Sequence, residues 1–120
     1  MSAGTQETRH KPAGVGHFLV QRVTAVALIP LSVWFVLAMF DLVGANRDTA
    51  LAYLHEPLHA ILMGLLVVIV LIHMALGVQV VIEDYVPKDG QRKFFLFLNS
   101  AYAWIAGAVC LYAMYRIALP

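Results

Sequence analysis

Three stretches without a single Asp, Glu, Lys or Arg constrain this 120-residue chain more than any other feature. They are Val23 to Phe40, Pro57 to Ile82 and Phe94 to Tyr115, of 18, 26 and 22 residues. At about 1.5 Å of rise per residue, each has the length required to cross roughly 30 Å of hydrocarbon. Lipid offers no hydrogen bonds to a backbone, so segments that cross it singly must be helices. Composition agrees: 62% of the residues are hydrophobic and 12% are charged, against about 45–50% and about 25% in soluble domains. Disorder requires the opposite balance, and so short a chain cannot turn this much apolar surface inward. The fold class is an all-α membrane protein with three transmembrane helices.

The chain divides into a polar N-terminal tail, 1–16, and a three-helix anchor domain, 17–120, with spans at about 20–42, 57–83 and 94–116. Pro30 falls inside the first span, where it removes one helical hydrogen bond and can kink the helix. Asp41 to Glu56 reads as a polar connection broken at Gly44 and Asn46, and Glu83 to Lys93 as a turn around Pro87, Asp89 and Gly90. With three spans the termini lie on opposite sides. One side carries Arg9, Lys11, Arg22, Lys88, Arg92 and Lys93, the other Arg47 and Arg116. This excess of positive charge assigns the N-terminus to the cytoplasm and the C-terminus to the periplasm. No cleavage site or transit-peptide bias follows the tail, which points to a retained first helix in a bacterial inner membrane. No basic patch suited to nucleic acid is present. The lone cysteine, Cys110, stands in an apolar run and reads as a small buried hydrophobe.

Polar groups at membrane depth carry the functional information. His73 lies well inside the second span. Its imidazole needs either a hydrogen bond from a neighbouring helix or a metal, and axial ligation of a haem iron is the sharper reading. Gly77, one turn on, would allow a flat macrocycle or another helix to come close. His59 precedes His73 by 14 residues on the same helix, about 21 Å along the axis, so one haem cannot use both, and a second histidine ligand would come from another chain or, less directly, from His17 or His55. His55 and His59 read as interfacial polar residues. Asp84 follows His73 by 11 residues, three turns plus about 20°, which puts both on one face. Asp84 and Tyr85 at the helix end could bind a quinone headgroup, the phenol donating to a carbonyl, or could simply mark the membrane boundary. Arg22 either snorkels to headgroups or meets an anionic group of a cofactor or partner. Ser32 and Gln79 read as helix-packing contacts.

His73-x-x-x-Gly77, then Asp84-Tyr85-Val86, together with Phe18-Leu19-Val20-Gln21-Arg22-Val23-Thr24-Ala25, resembles the hydrophobic membrane anchor subunits of succinate dehydrogenase. The likeness extends from His17 to the end of the chain. It implies a haem-binding bundle formed with a second membrane anchor, a cytochrome b subunit that supplies the other axial ligand. It further implies that His73 ligates haem b, that Tyr85 and Asp84 line a ubiquinone site, and, more weakly, that Arg22 lies near the haem propionates or the quinone. Flavin (FAD) and iron–sulfur clusters would reside in partner flavoprotein and iron–sulfur subunits, leaving this chain without a catalytic centre of its own. A quinol:fumarate reductase anchor and a non-catalytic membrane scaffold are the alternative readings.

Overall fold

The computed structural model describes residues 13–119. Among these residues four helices follow one another: α1 (Ala13–Leu42), α2 (Arg47–His55), α3 (Pro57–Tyr85) and α4 (Asp89–Ala118). Of these, α1, α3 and α4 are long and apolar enough to cross a membrane. Arg9, Lys11 and most of the polar tail lie outside the described residues.

Each long helix extends beyond its charge-free run at one or both ends. The start of α4 shows why. Asp89 opens its first turn, pairing with Arg92 at 2.7 Å and with Lys93 at 3.2 Å. Spacings of three and four residues bring those groups together on a helix, and a carboxylate suits the positive N-terminal end of the helix. Arg92 also donates to the carbonyls of Val86 and Pro87 at the tight turn out of α3, both at 3.3 Å. Charges that bound a hydrophobic run can thus belong to the helix and cap it in the interface. Through Pro30, α1 remains a continuous helix.

The first connection is not a plain loop. Gly44 takes a positive φ of 79°, and Asn46, expected to break structure, instead starts α2. Its side-chain oxygen accepts from the Thr49 amide at 2.8 Å, the N-cap arrangement that satisfies an otherwise unpaired donor. The nine residues of α2 are too few and too polar to show a membrane signal. Its end is tied to the bundle where His55 Nδ1 lies 3.3 Å from the Ile117 carbonyl.

The central helix is α3, which packs against α1 on one flank and α4 on the other. Among the described residues three side chains are buried: Thr24, Leu31 and Ala38. They recur every seven residues along α1, the spacing that keeps a narrow seam facing a neighbouring helix. Thr24 and Ala38, the small side chains of that seam, let the backbones approach closely, as packing in lipid favours. On the other flank, the Asn99 amide of α4 donates to the Ala75 carbonyl of α3 at 2.9 Å. The outer faces remain open: Trp104 is 81% exposed, and Cys110 also faces outward rather than into a core. In an apolar solvent there is no penalty for that.

Candidate cofactor groove

The seam between α1 and α3 widens at the Tyr85 end into a groove of about 310 Å³, lined by His17, Phe18, Gln21, Arg22, Ala25, His73 and Val80. His17 and Gln21, four residues apart, share one side of α1, and Arg22 lines the groove from the next position round the helix. The Arg22 guanidinium rests 5.0 Å from the centre of the Phe18 ring, a cation–π contact that holds the charge at the groove. Opposite it, His73 presents its ring from α3, with Nδ1 2.9 Å from the Thr24 hydroxyl. Gly77 lies one turn beyond, and a Cβ there would stand 3.5 Å from Gln21 Nε2, an ordinary van der Waals contact. The glycine therefore sits at the point where the Gln21 side chain crosses α3.

Two polar atoms in this groove are buried without a partner among the described residues: His17 Nε2 and Gln21 Oε1. Buried polar groups are nearly always hydrogen-bonded, so these two atoms leave the groove with unused hydrogen-bonding capacity beside His73. Its residues fit a haem. His73 contributes a ring nitrogen, Arg22 a cation and Gln21 and His17 spare hydrogen-bonding capacity, while Phe18, Ala25 and Val80 contribute an apolar wall. No cluster of three His, Cys, Asp or Glu side chains able to hold a bare metal ion occurs among the described residues.

The expected site residues do not all converge. Arg22 and His73 line the same groove, whereas Asp84 and Tyr85 are absent from its lining. They stand at the C-terminal turn of α3, both exposed, with Tyr85 at 78%. Adjacent residues on a helix diverge by about 100°, and among the described residues the two side chains share no hydrogen bond. Asp84 therefore does not hold the Tyr85 phenol within this chain. His59 belongs to the other end, stacked on Tyr53 at 3.7 Å and 2.9 Å from the Tyr53 carbonyl. There it helps fasten α2 to α3. Gln79 does not bridge helices as expected: it donates to Glu83 on its own helix at 3.1 Å. Ser32 is exposed. Sequence reasoning assigned no role to Thr24, Gln21 or Asn99, and gave His17 only as a less direct source of a second haem ligand. Their signal, polar groups within or beside an apolar run, is present in the sequence, but what each one touches is not.

The family of succinate dehydrogenase/fumarate reductase transmembrane subunits matches residues 4–113 of the sequence. This chain belongs to that family. Similar proteins include three succinate dehydrogenase hydrophobic membrane anchor subunits. That of Paracoccus denitrificans is 29% identical over 106 residues, 88% of this chain and 81% of the relative. That of Rickettsia felis is 32% identical over 107 residues, 88% of each chain. That of Rickettsia bellii is 37% identical over 89 residues, 72% of this chain and 70% of the relative. No solved structure matches the chain. The three-span helical architecture expected of such an anchor is the architecture described above.

Proposed function

We propose that this transmembrane subunit anchors a succinate:ubiquinone oxidoreductase to a bacterial inner membrane, with its N-terminus in the cytoplasm and its C-terminus in the periplasm. The observation that carries the reading is the His73 groove. An imidazole within a membrane span shares its groove with a cation and with two polar atoms unpartnered among the described residues, at the end of the bundle where the last turn of α3 exposes Asp84 and Tyr85. Haem b is the group that this donor set suits, and when bound it would supply a one-electron redox centre. His73 would be its axial ligand on this chain, with Arg22 facing the propionates. The second ligand would come from a partner anchor of the cytochrome b type.

Tyr85 and Asp84 are read as one wall of the ubiquinone pocket, closed by the iron–sulfur subunit. The phenol would donate to a quinone carbonyl, and the carboxylate, about 100° round the helix, would accept or deliver a proton from the aqueous side. Tyr85 is nearly free of contacts with its own chain, as a residue whose surroundings come from partner subunits should be. Succinate oxidation itself belongs to the flavoprotein and iron–sulfur subunits, which this chain would hold at the cytoplasmic face. The curated relatives favour this direction over fumarate reduction, since those compared above are named for succinate dehydrogenase.

The test is a reduced-minus-oxidised visible spectrum of the complex purified through a tag on this chain, beside the same preparation carrying His73→Leu. A b-type signal that disappears in the variant is the expected result. An unchanged signal removes His73 as a ligand. A pure preparation without haem or flavoprotein favours a scaffold role.

A further inference from the structure

The hydroxyl of Thr24 makes three close polar contacts at once. Its oxygen lies 2.8 Å from the Val20 carbonyl, 3.0 Å from the Gln21 carbonyl and 2.9 Å from His73 Nδ1. A hydroxyl has one proton to give, and carbonyl oxygens can only accept. If that proton went to His73, the Thr24 oxygen would face two carbonyl oxygens at hydrogen-bond distance with nothing between them. The proton therefore belongs to the backbone of α1, and the remaining contact has the opposite sense: His73 Nδ1–H donates to Thr24. Thr24 is also the one polar side chain among the buried residues described, 7% exposed and locked in the seam with Leu31 and Ala38. It has no freedom to turn away.

We propose that Thr24 is a positioning residue for His73, fixing the imidazole as its Nδ1–H tautomer and leaving the Nε2 lone pair free for a metal. The inference rests on the haem reading only for the identity of that metal; the tautomer follows from the hydrogen-bond geometry. The chemistry is that of an outer-shell partner, which orients a ligating histidine and raises its basicity. Here the partner is a neutral hydroxyl backed by two main-chain carbonyls, so the ring is held without placing a carboxylate in the membrane, where a charge is costly. The same contact couples the rotation of α1 to the orientation of the ligand ring.

The test uses the assembled complex with Thr24→Val, which keeps the shape, and Thr24→Ser, which keeps the hydroxyl. Thr24→Val should weaken haem retention by about 10–100-fold, the usual effect of losing such a partner. It should also raise the haem midpoint potential and shift the low-spin EPR signal, because a less basic imidazole stabilises ferric iron less. Thr24→Ser should restore all three. Wild-type potential, EPR and haem affinity in Thr24→Val would overturn the proposal. A second measurement needs no variant at residue 24: ¹⁵N solid-state NMR of histidine-labelled, haem-free complex, with the His73 signal identified by its loss in His73→Gln. A protonated Nδ1 and bare Nε2 are expected, and a protonated Nε2 would overturn the assignment even if Thr24→Val failed to assemble. Retention of haem by His73→Leu sinks the ligand reading instead, and the NMR result then judges the tautomer alone.

Discussion

Asn99 on α4 reaches across to the carbonyl of Ala75 on α3 at 2.9 Å, two residues along the chain from His73. With Thr24 on the opposite flank, the stretch of α3 around the histidine is held from both sides by polar contacts. Elsewhere among the described residues the three long helices meet by van der Waals packing, for lipid tails are as apolar as the side chains they would replace.

Replacing Asn99 with Leu should therefore loosen α4 without unfolding the chain. Hydrogen bonds between membrane helices average about 0.6 kcal/mol and reach roughly 1.7 kcal/mol. A small loss in the denaturation midpoint of the detergent-solubilised complex is the expected outcome, with haem content largely kept. A midpoint equal to wild type would show that the contact contributes nothing.

Tyr85→Phe removes one hydroxyl from a side chain that is 78% exposed, so assembly should be unaffected. Quinone reduction should fall by about 10²-fold or more if the phenol donates to the reacting carbonyl, the scale of loss seen when general acid–base groups or oxyanion donors are removed. Succinate oxidation by a soluble artificial acceptor should persist. Equal loss of both activities would count against the pocket role.

Gln21 offers a contrast in sign. Its Oε1 is buried without a partner among the described residues, and such a group costs about 1–3 kcal/mol. Gln21→Met should leave the haem-free complex as stable as wild type or slightly more so, while weakening retention of the cofactor. Haem content and thermal midpoints measured on the same preparations separate the two effects. A destabilised haem-free complex with unaltered haem binding would mean that Gln21 serves packing alone.

Much of the architecture was legible in the residues because the bilayer asks one simple question of a segment, whether it can cross without leaving its own backbone unpaired. The charge-free runs of Val23 to Phe40, Pro57 to Ile82 and Phe94 to Tyr115 answer it by length alone. α2 escaped that reading, since Arg47 to His55 is short and polar and its helix depends on the Asn46 cap and on docking beneath α3 and α4. His73 stood out because an imidazole at that depth must find a partner. Which partner was beyond reach: Thr24 lies 49 residues away in the chain.

Three membrane helices, a polar connection on either side of the central one, and a histidine and an Asp-Tyr pair placed along that helix all follow from the order of residues. Each is a property of one segment and its solvent. Helix packing, by contrast, makes Thr24, Leu31 and Ala38 the seam, brings Gln21, His17 and Arg22 into one groove with His73, and leaves Asp84 and Tyr85 outside it. The long helices are apolar on nearly every side, so no hydrophobic stripe fixes which face turns inward. Their rotation and register are settled by close packing of small residues and by a few polar contacts between helices, and those exist only once the helices meet.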